Sequence, residues 1–210
     1  FNSASASSLT VNKGTAFTSS VDDVSYQFII RDAVTVTPVD GVYTLTTDIR
    51  EGTLVTNKYT VDTTDANQRF LIENDMVDTA TLAVSVQNSS SDSTTNTYTL
   101  ASDLGAVTNT SKIYYLEQVE QGKYEVVFGD GVLGAALSNG NIVTLEYIVS
   151  TGVASNGATT FTASSTVGGE SDITIVTNSN SAGGSEPETV ESIRFNAPKQ
   201  FSAQNRAVIP

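Results

Sequence analysis

The chain has 210 residues, with 10 Lys plus Arg against 23 Asp plus Glu, a formal charge of -13, and no Cys, His or Trp. That composition excludes disulfide staples, zinc or haem sites built on Cys or His, Cys nucleophiles and Ser-His-Asp triads. So acidic a surface repels nucleic-acid phosphates and anionic membranes, and no apolar run approaches the roughly 18 residues that span a bilayer. The chain opens Phe1-Asn2-Ser3 without an initiating Met, and we expect it to be part of a longer polypeptide.

Only 16% of residues are charged, and Ser, Thr, Val, Asn and Gly dominate. β-branched side chains fit pleated strands, so a mainly β fold is expected. Ser25–Ile30 places Tyr26, Phe28 and Ile30 on one side of a strand, opposite Ser25 and Gln27. Asp40-Gly41 then predicts a hairpin between Val34–Val39 and Val42–Leu45, because Asp-Gly tolerates the positive φ of a tight turn. Asp75–Ala80 is read as another short turn. In Thr81–Val86 the apolar Leu82, Val84 and Val86 alternate with Thr81, Ala83 and Ser85, which is the period of a half-buried strand. Asn88–Asn96 contains no apolar residue and is expected to be a mobile surface loop between two β subdomains.

Further on, Gln121-Gly122 separates Ile113–Leu116 from Tyr124–Phe128, and Asn139-Gly140 separates Ala135–Leu137 from Ile142–Val149. Both predict hairpins. Ile142–Val149 is apolar on both faces, as a central strand is. Asn178–Ser185 is a second polar loop. Beyond it, Ser185 and Glu188 form a capping box with Pro187 in the first turn. Val190, Ile193 and Ala197 recur at helical spacing, and Pro198 stops the helix near Ala197.

Several constellations read as structure rather than chemistry. Glu117, Glu120 and Glu125 beside a hairpin turn, and Asp62 with Asp65, are expected to be solvated acids and not a glycosidase pair. Asp22-Asp23, Asp62 with Asp65 and Asn67, and Asp130 are candidate calcium ligands by residue type. None has EF-hand spacing, and turn capping is the expectation. Gly129, Gly131 and Gly134 spell G-x-G-x-x-G, but no βαβ unit surrounds them and Asp130 occupies the phosphate position. Gly129, Asp130, Gly131 and Gly134 are therefore assigned to a tight structural turn. No catalytic residue, metal ligand or cofactor site is assigned.

Tyr124–Gly134, ending Phe128-Gly129-Asp130-Gly131-Val132-Leu133-Gly134, resembles the Phe-Gly-Asp-Gly turn of the baseplate J-like family of contractile phage tails. Asn139–Tyr147 and Gly152–Phe161 are similar to the strands that follow it. The stretch from Gly183-Gly184-Ser185 to Asn196-Ala197-Pro198 resembles the family's helix in its T-even-type wedge branch. Leu9–Thr15 and Arg50-Glu51-Gly52 fit the opening strands more weakly. In one departure, Ile209-Pro210 stands after Arg206-Ala207-Val208 where the family continues into a further helix capped by Thr.

The resemblance implies a virion structural protein that is not an enzyme. Its partners would be copies of itself and other baseplate wedge proteins, with no nucleic acid, membrane or small-molecule substrate. It would be assembled in the host cytoplasm, form the inner baseplate ring and relay the contraction signal to the sheath. Glu186, Glu188 and Glu191, followed by Arg194, Phe195, Lys199 and Arg206, make a polarised strip suited to fixing register between subunits. The same helix can instead pack Val190 and Ile193 on a sheet with its charges solvated. The alternative function is a secreted carbohydrate-binding or adhesin β-sandwich, assisted by calcium. We therefore expect a mainly β (α+β) fold of antiparallel, hairpin-rich sheets. Its parts would be a β subdomain over 1–87, a second over 98–177 carrying the turn, and a helical segment over 185–210.

Overall fold

Alternating β-branched and polar residues resolve into strands throughout. The computed structural model describes residues 7–102, 104–186, 191–192 and 194–197. Within them run β1 (Leu9–Val11), β2 (Ala16–Val21), β3 (Val24–Ile30), β4 (Val34–Val36), β5 (Ile49–Glu51), β6 (Thr53–Thr60) and β7 (Phe70–Ile72). These are followed by β8 (Val77–Gln87), β9 (Thr95–Leu100), β10 (Ile113–Gln118), β11 (Tyr124–Phe128), β12 (Ile142–Val149) and β13 (Thr162–Ala163). Residues 191–192 and 194–197 are helical. The fold is mainly β with a small α component, as expected; the start and stop of the helix, with Glu188, Pro187 and Pro198, lie outside the described residues.

Three sheets form. β1 pairs with β4; a four-stranded sheet has the order β13-β2-β3-β5; a seven-stranded sheet has the order β6-β12-β8-β9-β10-β11-β7. Pairing is antiparallel except between β9 and β10. The seven-stranded sheet curls until its two edges meet. There the Tyr59 hydroxyl donates to the Leu71 carbonyl at 2.6 Å, and the Tyr147 hydroxyl donates to Asn74 Oδ1 at 2.7 Å while accepting from Asn57 at 3.1 Å. Inside this near-barrel Val84, Val126, Val143, Leu145 and Tyr147 are fully buried. Edge-to-face contacts link Tyr59 to Phe70, Phe70 to Phe128 and Phe128 to Tyr98, a favoured geometry for ring quadrupoles. A second core gathers Leu9, Val11, Phe17, Phe28, Ile30, Tyr43, Ala158 and Val167.

The sheets divide the chain differently from the expected subdomains. β6 and β8 precede Asn88–Asn96, yet both pair with β12 beyond it. Residues 53–149 build the near-barrel, while strands before Gly52 and after Ser150 build the other body. The 88–94 segment is the connection of the β8–β9 hairpin, and Thr95-Asn96 already belong to β9. It is exposed but tied internally: Asn88 N–H donates to Thr94 O at 2.9 Å, and Asn88 Nδ2 donates to Asp92 at 2.7 Å.

Other expectations hold in part. β12 is central, with β6 and β8 on its flanks, and the β10–β11 hairpin turns at Gln121-Gly122. Asp40 (φ 51°) and Gly41 (φ 78°) form the expected tight turn, but only Val39 and Val42 pair across it. Val34–Val36 pairs with β1 instead. The turn at Asn139-Gly140 is present, but Ala135–Leu137 is not a strand: Ala135 N–H donates to Ser111 O and Gly140 N–H to Val61 O. At Asp75–Ala80 the turn is confined to residues 75–76. The register of β8 against β12 then shifts between Glu146 and Ile148. Buried Thr81 fills the gap, its Oγ1 accepting from Ile148 N–H at 2.9 Å.

Candidate interaction surface

The Phe128–Gly134 loop follows directly from the core. Phe128 ends β11 inside the near-barrel, and Gly129 and Gly134 then bring the two ends of the loop together. The approach is so close that a Cβ on Gly129 would sit 2.3 Å from the Gly134 carbonyl carbon, a contact only glycine avoids. Gly131 N–H donates to Gly134 O at 3.0 Å, and Gly134 N–H to Thr108 O at 3.1 Å. Asp130 Oδ1 accepts from the N–H groups of both Val132 and Leu133 at 2.9 Å. Those two bonds, Leu133 first, hold the Asp130 carboxyl below its ordinary pKa. Gly129, Asp130, Gly131 and Gly134 thus all serve one closed turn. It presents Val132, 71% exposed, and Leu133, 50% exposed, at its tip. Apolar side chains held in water by a stiff loop are suited to burial against a partner.

A second arrangement fixes the segment that precedes the helical residues in the chain. Residues 181–186 lie against the 3-10 turn Gly152–Ser155 and its continuation. The Ser181 hydroxyl donates to Ser155 O at 2.6 Å and accepts from Ala158 N–H at 2.8 Å. Asn156 Nδ2 donates to Gly184 O at 2.9 Å, and Gly184 N–H donates back to Asn156 Oδ1 at 3.0 Å. Glu186 is exposed beside Gly152, and Glu191, Arg194 and Phe195 are exposed on the helical residues. Glu188, Lys199 and Arg206 lie outside the described residues, so the expected strip is placed only at Glu186, Glu191, Arg194 and Phe195.

The acidic constellations act in turns and ion pairs. Asp22 and Asp23, with φ of 48° and 63°, turn the β2–β3 hairpin. Asp62 Oδ1 accepts from the Thr64 N–H and hydroxyl, and Asp65 Oδ1 from Asn67 N–H. The Asp62 carboxyl is held below its ordinary pKa, first by the Thr64 hydroxyl. Glu117 and Glu125 face each other across β10–β11, with the Arg69 guanidinium bidentate on Glu125. Among the described residues, no three acidic side chains gather as a metal site.

No protein-family model and no curated protein matches this chain. The sequence pattern also missed two features of this surface. The assigned turn does not by itself say which way Val132 and Leu133 face, and Asn156 with Ser181 forms no recognisable spacing.

Proposed function

We propose that this chain is a virion structural subunit, a baseplate wedge protein of a contractile phage tail. Within that class, the resemblance of 183–198 points to the T-even-type wedge protein known as gene product six. It acts by assembly: it associates with copies of itself and with other wedge proteins in the inner baseplate ring and relays the contraction signal to the sheath. Assembly takes place in the host cytoplasm, and the finished protein resides in the virion.

The observation that carries this reading is the turn from Phe128 to Gly134. It is one of the segments on which the family resemblance rests, and it is closed by Asp130 with Val132 and Leu133 held outward. A rigid apolar tip has little conformational entropy to lose on docking, which favours a permanent contact. The N–H and carbonyl contacts of Asn156 and Gly184 hold the segment before the helix in one register on the body. That is what a part transmitting displacement requires.

Negative-stain imaging of wedges assembled with and without this subunit tests the proposal. Closed rings should form only when it is present, and Val132→Asp with Leu133→Asp should reduce closure. Rings that close equally well without it overturn the proposal. Thermal melting with and without Ca²⁺ should coincide; a rise with Ca²⁺ would favour the calcium-assisted adhesin, by binding to the folded state.

A further inference from the structure

β13 and the segment 171–175 are the two arms of a hairpin that closes only at its tip. Val167 and Glu170 exchange backbone hydrogen bonds at 2.9 and 3.1 Å around Gly168-Gly169. Below that bridge the arms splay. One is fixed to β2 through Thr162 and Ala163, and Ser164 N–H donates to Ala16 O at 2.9 Å. The other runs as far as Thr177 without a backbone hydrogen bond to any described residue. Its Ile173 packs on the same core as Phe161 and Ala163, so the arms cannot simply close on each other. Between them is a groove of about 630 Å³, lined by Phe161, Thr162, Ala163, Ile173 and Ile175 among others.

Both walls offer unpaired backbone. In an antiparallel ladder, alternate residues direct their N–H and C=O toward the partner and away from it. Because Ser164 bonds to β2, Ala163 directs its own backbone groups outward, into the groove. The edge carries no Lys and no Pro, the residues that usually guard a free strand. No Lys or Arg occurs between Lys123 and Arg194, and Glu170 and Asp172 stand at the closed end of the groove.

We propose that the splayed hairpin 162–175 is an acceptor slot for one extended strand of a neighbouring protein, rich in β-branched residues and flanked by basic ones. The occupant hydrogen-bonds to Ala163 on one side and to 171–175 on the other, and the basic residue at its inner end meets Glu170 and Asp172. A second copy of this acidic chain is a poorer match, since its described basic residues sit elsewhere in the fold. The slot deepens the assembly proposal and rests on it for the identity of its partner.

The test titrates the full chain with the synthetic peptide Lys-Val-Thr-Val-Thr-Val-Lys and its Glu-flanked counterpart, by calorimetry and amide hydrogen exchange. The basic peptide should bind about tenfold more tightly at low salt and protect the amides of Ala163 and 171–175. Ala163→Pro removes the outward donor and spares the ladder to β2, as proline does on free edges, and should weaken binding about tenfold. Should that variant unfold, Thr162→Lys puts a like charge in the slot and should weaken the basic peptide to a similar degree. No binding, equal binding of both peptides, or unchanged affinity in the folded variants overturns the slot. Self-association that Ala163→Pro abolishes would name a second copy as occupant and overturn the basic partner. Ring closure is scored separately: closed rings that need the subunit, without peptide binding, remove the slot alone, and peptide binding with rings indifferent to the subunit removes the assembly reading alone.

Discussion

Arg31 and Glu146 join the two bodies of this protein. Arg31 follows β3 in the four-stranded sheet, and its Nη1 lies 3.8 Å from a Glu146 carboxylate oxygen on β12, which runs between β6 and β8 in the near-barrel. Its Nη2 donates to Thr81 O at 2.8 Å, at the register shift of β8. Lys13 reaches the other oxygen of Glu146, whose side chain is only 13% exposed. A mostly buried carboxylate between two bases is sensitive to loss of either charge. Glu146→Gln should therefore destabilise the protein by about 1–3 kcal/mol, read as a lower urea midpoint. Lys13→Ala, at a 52% exposed side chain, should cost less than about 1 kcal/mol. Equal losses from the two variants would show that Glu146 is not the centre of the contact.

The Asp130 turn should respond to acid. Its carboxyl is held below the ordinary value, first by the Leu133 N–H and then by the Val132 N–H. A lowered folded pKa means that the contribution is present above the unfolded value, about 3.9, and is lost as pH falls through the folded value. The amide resonances of Val132 and Leu133 should titrate with a midpoint below that of an ordinary Asp. In Asp130→Ala both should lose hydrogen-exchange protection while the near-barrel amides keep theirs. A midpoint at the ordinary value would mean that the carboxylate does not hold the turn.

At the other end of the pH scale, burial raises the pKa of Tyr59, Tyr98, Tyr114 and Tyr147. All four belong to or pack against the near-barrel core. Stability from their neutral phenols is complete below the unfolded value, about 10, and is lost as pH rises through the raised folded values. Phenolate absorbance followed together with circular dichroism should show these four ionising only as the strands unfold. Ionisation of all tyrosines near pH 10 with the sheet intact would contradict that arrangement.

The strands were legible because burial of one face leaves a period of two in the sequence. Val84 and Val86 are buried on β8, and Tyr124, Val126 and Phe128 line one face of β11. Which strands pair was not legible. Ile142 lies opposite Thr60 and Gln87, far away along the chain, and local turn chemistry says nothing of such partners. Asp40-Gly41 and Asn139-Gly140 correctly marked reversals, yet Val34–Val36 found its ladder on β1 and Ala135–Leu137 formed no strand. Gly131, Gly134 and Asp130 declared their turn because positive φ and side-chain capping are local demands. Exposure of Val132 and Leu133 depends on the contacts of Thr108 and Ser111 with the loop, which no short window contains.

The clamp before the C-terminal helix depends on the absence of a side chain. A Cβ on Gly184 would lie 2.2 Å from the Gly152 carbonyl oxygen, so Gly184→Ala must push the 181–186 segment away. The reciprocal bonds between Asn156 and Gly184 would then lengthen or break, at a cost of about 1–3 kcal/mol for the overpacking and the lost pairs. Because the clamp lies outside the near-barrel core, the loss should be local. Limited proteolysis should cut within 178–186 severalfold faster, while β12 amides exchange at their original rate. Asn156→Ala, which removes the bonds without adding bulk, should show the same cleavage pattern to a smaller degree. If Gly184→Ala is no more susceptible than the parent chain, then the segment is anchored through Ser181, and the Asn156–Gly184 contact does not hold it.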